Sequence, residues 1–321
     1  MTDSRPIHEI AAAIEAENHL EDPVQARTAR ERGTLERDEL MNRLRIEDAH
    51  DLAEKLAGCG TPLGLTCACC GGHRTVEVAC KRRWCPACAW IVARERIRKY
   101  ERAADTMKWP LFVTLTVRNT PDPEIIRDLR GWWSKMRRRK LMRDRVPGGI
   151  STIEVTEGEG GWHPHLHILA DCRWLALHTP APAWQDSEDV KRQKYDHARL
   201  ELSALWSQVI GQEQASVLAL RKSPGECLRY ALKYAVKGSD LINSRLPVAP
   251  LIRVLSKSRM LSAFGTMHGH PLHDPEDEKP AAVCHECHNE TEWIPDHVLH
   301  FYNAGSHDRV IANKSKHITP K

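Results

Sequence analysis

From Trp109 onward, apolar and polar positions fall into two regular periods. Leu111–Val117 (LFVTLTV) alternates, with Val113, Leu115 and Val117 pointing one way and Thr114 and Thr116 the other, which predicts a strand. After Thr120-Pro121-Asp122-Pro123 the spacing predicts a helix from Glu124 to about Arg145. Two further strands follow, Ile150–Thr156 and Trp162–Ala170, joined by the Gly-rich turn Glu157–Gly161. A loop with Pro180 and Pro182 leads into a second helix over Glu188–Ile210. A short strand at Ser216–Leu220 and a helix from about Gly225 to Lys237 complete the set.

That order, β-α-β-β-α-β plus one helix, predicts an α+β fold of the ferredoxin-like (RRM-like) kind: an antiparallel sheet with helices on one face. It occupies residues 109–240. Residues 1–58 read as a charged helical N-terminal extension, with stretches such as Glu31–Leu56. Residues 59–100 read as a cysteine-rich module running into a basic helix, and residues 241–321 as short elements, a Cys/His-rich patch and a basic tail.

Charge refines this division. Residues 1–58 hold 8 Lys/Arg against 14 Asp/Glu, leaving 39 basic against 29 acidic residues for the rest. A basic body behind an acidic first segment suits a polyanionic partner. Residues 124–145 alone hold nine Lys/Arg against three acids, with Trp132-Trp133 beside Arg137-Arg138-Arg139-Lys140. Such a helix could grip single-stranded DNA, or be a solvated face backed by core tryptophans. No run approaches the length of a bilayer span, and the first residues lack an apolar signal segment, so the cytoplasm is the expected location.

The segment Trp162-His163-Pro164-His165-Leu166-His167-Ile168-Leu169 carries the most chemistry. Strand alternation puts His163, His165 and His167 on one face and Leu166 and Ile168 on the other. A two-residue His spacing alone fits structural histidines as well as ligands. The third histidine and an acidic partner strand add weight to a metal site. If Glu154 sits opposite His165, then Thr156 faces His163 and Thr152 faces His167. His165, His167 and Glu154 then form a two-imidazole, one-carboxylate site that suits Mg²⁺ or Mn²⁺. Glu157 and Glu159 in the turn are alternative carboxylates.

Residues Cys227–Lys237 predict an amphipathic helix whose Leu228, Ala231, Leu232 and Ala235 face the sheet. Tyr230 and Tyr234, four apart, project from one face, and the flanking Lys233 and Lys237 could hold phosphate. Two tyrosines edging a core would give the same pattern. A phenol is a poor nucleophile at neutral pH unless a metal polarises the group it attacks.

Eleven cysteines without a secretory signal read as metal ligands and free thiols. Cys67-x2-Cys70 and Cys85-x2-Cys88, 14 residues apart and just under the usual spacing, suggest a four-cysteine Zn²⁺ module, with Cys80 as a substitute ligand and Cys69 and Cys59 less favoured. Lys81, Arg82 and Arg83 inside it suit DNA backbone contact or a solvated face. Cys284 and Cys287 form half of a second site, which His268, His270 and His273 could complete. Cys172 and Cys227 read as ordinary buried thiols.

Three pieces in this order resemble the rolling-circle replication initiators of plasmids and phages, members of the HUH endonuclease superfamily. They are the strand Phe112-Val113-Thr114-Leu115-Thr116, the His-hydrophobic-His strand His165-Leu166-His167, and the Tyr-x-x-Lys-Tyr helix Tyr230–Tyr234. The likeness spans about residues 60–240. It implies that His165 and His167 bind the catalytic metal and that one tyrosine attacks DNA. A 5′-phosphotyrosine and a free 3′-hydroxyl primer would result. Tyr230 stands where some relatives carry a glutamate, so the chain resembles the two-tyrosine branch, in which the two residues act in turn, Tyr234 being the favoured first nucleophile and Glu226 a candidate acid/base group. Origin DNA and a host helicase and polymerase are the implied partners. A mobilisation relaxase or single-strand transposase would share the chemistry, but relaxases usually carry the nucleophile upstream of the histidines. A zinc-containing DNA-binding regulator would need neither histidines nor tyrosines.

Overall fold

A computed structural model describes residues 23–212, 217–220, 225, 228, 238–269, 283–291 and 293–295. Its elements run α1 (Pro23–Ile46), α2 (His50–Ala57), β1 (Pro62–Cys67), β2 (His73–Glu77), α3 (Pro86–Asp105), β3 (Pro110–Thr116), α4 (Ile125–Arg137), α5 (Lys140–Arg145), β4 (Gly148–Gly158), β5 (Gly161–Asp171), α6 (Glu188–Ile210), β6 (Val217–Leu220), α7 (Gly238–Ile242), α8 (Val248–Lys257), β7 (Leu261–Gly265) and β8 (Trp293–Pro295). The chain is α+β. A five-stranded sheet has the order β6-β3-β5-β4-β7 and a three-stranded sheet the order β2-β1-β8, with every pairing antiparallel.

Alternation along the large sheet sets its two faces. Val113, Leu115, Ile153, Val155, Leu166 and Ile168 point into the main core, where they meet Ile126, Leu129, Trp133 and Met136 of α4 and Leu202 and Trp206 of α6. Burying each such side chain contributes about 1.5–3 kcal/mol. Helix α6 starts at Ser187, whose Oγ accepts from the Val190 amide at 3.3 Å, and stops at Gly211 with φ 67°.

Helices cover both faces, not one as the element order suggested. Phe112, Ile150 and Leu169 point away from the main core and pack on Ala103 and Ala104 of α3 and on Met107 just after it, with Leu228 and Met267. Those strand residues are apolar, so the inner end of the second face requires cover. The predicted helix at 124–145 is also broken: Arg139 is extended (ψ 150°) and α5 restarts at Lys140. In an unbroken helix Leu141 and Met142 would lie five and six positions after Met136, off its face; the break returns all three to the core.

The N-terminal helices pack into the main core instead of standing apart as an extension. Leu40, Leu44 and Leu56 are fully buried in it. Arg43 donates to the carbonyls of Ile242 (2.6 Å) and Leu246 (2.7 Å), and Glu47 accepts from the amides of Val248 (2.9 Å) and Ala249 (2.8 Å), capping α8. Residues 241–265 likewise join the fold, α8 burying Leu251, Ile252 and Leu255 and β7 pairing with β4. No helix among the described residues is long and apolar enough to cross a membrane.

Helix α1 lies against α3 at Gly33, where an added Cβ would sit 2.8 Å from the Pro86 carbonyl oxygen and 3.1 Å from Ala87 Cα. Gly33→Ala should therefore destabilise the chain by about 1–3 kcal/mol in urea unfolding, although alanine favours an isolated helix by about 1 kcal/mol. A stabilised variant would show that α1 does not bear on α3. Asp51 and Arg253 pair across α2 and α8 (2.6 and 3.0 Å), and the guanidinium holds the Asp51 carboxyl down at about 2. The pair is half-exposed and is worth at most about 1 kcal/mol. Because the folded value is depressed, its contribution is present above about pH 4, the ordinary value for an unfolded aspartate, and is lost as pH falls towards 2. The stability gap between wild type and Asp51→Asn should shrink over that window.

Candidate metal centre and thiol clusters

The hairpin β4–β5 has the register expected from the sequence: Glu154 opposite His165, Thr156 opposite His163 and Thr152 opposite His167. On the other side of β5, Thr114 faces His167 and Thr116 faces His165. These side chains therefore share one face of the large sheet. Imidazole rings line it: His163 and His165 have centroids 4.3 Å apart, and His165 and His167 lie parallel at 5.9 Å. Phe112 stacks on His167 at 5.4 Å and marks where the polar half of the face gives way to the apolar half.

His167 is 2% exposed and is held from both ring nitrogens. Thr114 Oγ1 lies 2.9 Å from Nδ1, and Glu154 Oε2 lies 2.8 Å from Nε2. With a proton on Nε2, the ring donates to the carboxylate and the Thr114 hydroxyl donates to Nδ1. With Nε2 given to a cation, the proton moves to Nδ1 and the ring donates to Thr114 instead. Thr156 Oγ1 meets His165 Nε2 at 3.2 Å. Glu154 thus reaches diagonally to His167, although it is paired with His165 in the ladder. The role of Thr114 was missed; the signal was its place on the polar side of an otherwise apolar strand.

Glu157 does not substitute for Glu154. It has the opposite strand parity and accepts from the Arg245 amide (3.1 Å) and Nε (3.3 Å). Burial pushes its carboxyl up, but hydrogen bonds from Ser244 and Arg245 outweigh this and leave it lowered. The turn itself is pinned. Thr120 and Trp162 exchange backbone hydrogen bonds (3.1 and 2.7 Å), and Gly161, at φ 131°, passes so close that an added Cβ would sit 2.3 Å from the Thr120 carbonyl carbon.

Of the predicted tyrosine helix, only Gly225 and Leu228 are described, both helical. Leu228 is fully buried with Phe112, Ile150 and Leu169, on the sheet face that bears the histidines. Glu226, Tyr230, Lys233, Tyr234 and Lys237 lie outside the described residues. In the basic helix, Trp133 is a core residue, donating Nε1–H to Ser151 Oγ at 3.1 Å, while Arg137 to Lys140 are exposed.

The cysteines depart from the expected pairing. Cys67, Cys70, Cys85 and Cys88 do not gather in one place. Among the described residues, Cys85 and Cys88 join Cys59 and Cys80, whereas Cys67 and Cys70 join Cys284 and Cys287. Spacing along the chain showed which cysteines form pairs but could not show which pairs meet. Cys70, not a histidine, approaches Cys284 (3.7 Å), and Cys67 approaches Cys287 (4.0 Å). His268 is exposed, and His270 and His273 lie outside the described residues.

Each cluster could hold a metal such as zinc. The thiols within each are strongly coupled. Hydrogen bonds from the Cys80, Cys85 and Cys88 thiols lower Cys59, while sharing with Cys59 raises Cys80 and Cys85. In the second cluster, the Thr291 hydroxyl and nearby amides lower Cys67 to about 6. The Asn289 amide pulls Cys287 down, but burial and neighbouring thiols carry it up to about 12. One thiolate in each group suppresses the next, and a dication would relieve that conflict.

Residues 74–172 match a family model described as "Replication protein". A "Protein rep" of Staphylococcus aureus is 26% identical over 180 residues, which is 51% of this chain and 72% of that protein. A "Protein rep" of Streptococcus pneumoniae serotype 2 is 29% identical over 233 residues, 67% of this chain and 69% of that protein. No solved structure matches. These likenesses support the resemblance to plasmid rolling-circle replication initiators that the motifs carry.

Thr114→Val keeps the side-chain shape but leaves buried His167 Nδ1 without its hydroxyl. It should cost about 1–3 kcal/mol in denaturant unfolding, with Thr114→Ser recovering most of that. Equal stability of all three proteins would remove Thr114 from the site.

Proposed function

From the likeness of residues 74–172 to replication proteins, we propose that this chain starts rolling-circle replication by nicking one strand at an origin. One tyrosine of the pair Tyr230/Tyr234 attacks the scissile phosphorus, its oxygen forms the new P–O bond, and the 3′-oxygen leaves with a proton to become the primer hydroxyl. The 5′-phosphotyrosine keeps the energy of the broken ester, so the strand can be rejoined.

The observation that carries this reading is the shared face of His165, His167 and Glu154 beside the buried Leu228. Leu228 belongs to the apolar stripe of the Cys227–Lys237 helix. Its burial on this face supports a helix laid across the imidazole face, which would bring the Tyr230–Tyr234 segment beside the histidines. The strand order β6-β3-β5-β4 with antiparallel pairing supports the ferredoxin-like arrangement assumed for such a site.

The donors fit a hard divalent cation, Mg²⁺ or Mn²⁺. His167 Nε2 and Glu154 Oε2, hydrogen-bonded to each other at 2.8 Å, would turn to such an ion together with His165. A bound ion would polarise the phosphate and stabilise charge developing in the transition state. Around it, the protein's own groups do the positioning. Thr114 fixes the His167 ring, Glu154 supplies negative charge, and Lys233 and Lys237 would hold flanking phosphates. A cytoplasmic setting and recruitment of a host helicase and polymerase follow from this role.

Incubation with a single-stranded origin oligonucleotide and Mn²⁺ should give a denaturant-resistant protein–DNA adduct that chelation abolishes. His167→Ala should lower its yield by at least about a hundredfold. Tyr230→Phe and Tyr234→Phe separate the first nucleophile from the second. Persistence of the adduct in the double variant would overturn the tyrosine assignment, and cleavage without any adduct would point to hydrolysis.

A further inference from the structure

We infer that the chain binds two zinc ions in two interleaved four-cysteine sites: a buried one made by Cys59, Cys80, Cys85 and Cys88, and an exposed one, made by Cys67, Cys70, Cys284 and Cys287, that clasps the segment 283–295 onto β1. These sites are separate from the proposed nicking centre and do not depend on it.

The sulfur spacings fit a tetrahedral ion. Zinc–sulfur bonds of about 2.3 Å place ligand sulfurs about 3.8 Å apart. The separations are 3.3 Å (Cys59–Cys88), 3.7 Å (Cys59–Cys85), 3.7 Å (Cys80–Cys88), 3.7 Å (Cys70–Cys284) and 4.0 Å (Cys67–Cys287). Disulfides would need about 2.05 Å, and all these thiols are free.

The backbone gives an independent argument. Cys59, Cys70, Cys80 and Cys287 are each followed by a residue in the left-handed region: Gly60 (φ 82°), Gly71 (φ 76°), Lys81 (φ 52°) and His288 (φ 56°). Among the described residues only three non-glycines have positive φ, and two of them are Lys81 and His288. That conformation is uncommon for such side chains and persists where surroundings demand it. At three of the four it turns the amide two residues on towards the sulfur: Gly72 on Cys70 (3.4 Å), Arg82 on Cys80 and Asn289 on Cys287. Amide donors of this kind stabilise a thiolate, the form that ligates zinc.

The two sites differ in what else holds them. Cys59, Cys85 and Cys88 are within 4% of full burial and lie in the main core. The second site joins cysteines 214 and 220 positions apart, and Cys70 is exposed. Its C-terminal half brings little apolar surface: Val283 and Ile294 remain 51% and 52% exposed, and β8 has only three residues. Beyond the β1–β8 pairing and half-buried Trp293, stacked 4.0 Å under Arg74, the segment offers little to hold it on β1, and the metal supplies the remaining attachment.

Elemental analysis of the purified full chain should give two zincs and no stoichiometric iron. Cys284→Ser/Cys287→Ser should leave one, and so should Cys59→Ser/Cys80→Ser. A site made instead by Cys67, Cys70, Cys85 and Cys88 would survive both double substitutions. Should the buried-site variant fail to fold, alkylation mapped on the unaltered chain tests the same partition. During slow chelation Cys67, Cys70, Cys284 and Cys287 should become reactive together, before Cys59, Cys80, Cys85 and Cys88. A single zinc per chain, an iron–thiolate absorption band, or joint release of Cys67 and Cys70 with Cys85 and Cys88 would overturn the assignment.

Discussion

The pairing of β4 with β5 is the constraint on which the candidate centre rests. Side chains alternate with period two, so a slip of one residue along this hairpin would send Glu154 to the opposite face from His165 and His167. The same slip would expose Ile153 and Val155, or Leu166 and Ile168, each nearly fully buried. At about 1.5–3 kcal/mol per buried side chain, even one strand's pair would cost several kcal/mol, comparable with the whole stability of a domain. The turn adds a second lock, since Gly161 passes against the Thr120 backbone and Trp162 is almost completely buried. Apolar packing on one face thereby sets the ligand geometry on the other.

That coupling explains what the sequence disclosed. The hairpin, its register and helix α6 were legible because period, turn and caps all act locally: Glu157–Gly161 closes the turn, Ser187 starts the helix and Gly211 ends it. The cover on the second sheet face was visible only in part, as Phe112, Ile150 and Leu169 on the wrong parity for the main core. The break between Arg137 and Lys140 had no glycine or proline to announce it. It follows from the demand that Met136, Leu141 and Met142 all be buried. The charged segment before Cys59 reads as an appended extension because its apolar positions are sparse, yet Leu40, Leu44, Leu52 and Leu56 suffice to seat it.

Cysteine pairing shows the limit most clearly. Each Cys-x2-Cys is a local knuckle, set by a left-handed residue after Cys70 and Cys287 and by the helix start at Cys85, and can be recognised from spacing. Which knuckles meet is a question of tertiary structure. Cys59 closes helix α2 and Cys85 opens α3, so the packing of the N-terminal helices brings the first four thiols together. The pairing of β1 with β8 brings the second four together across more than two hundred positions. No periodic signal crosses such a distance.

Ligand chemistry is sorted in space in the same way. Thiolates are soft donors and belong with zinc, whereas carboxylate and hydroxyl oxygens with imidazole suit harder cations. The eight clustered thiols lie in and around the turns of the small sheet and at the ends of α2 and α3. Glu154, Thr114, His165 and His167 lie on the large sheet. A thiol among the imidazoles would draw zinc, which binds nitrogen and sulfur more tightly than Mg²⁺ or Mn²⁺ does and would close the positions a phosphate needs. Keeping sulfur in the scaffold and oxygen and nitrogen on the strand face would let one chain hold the structural zinc inferred for its thiols without poisoning the exchangeable ion proposed for its chemistry.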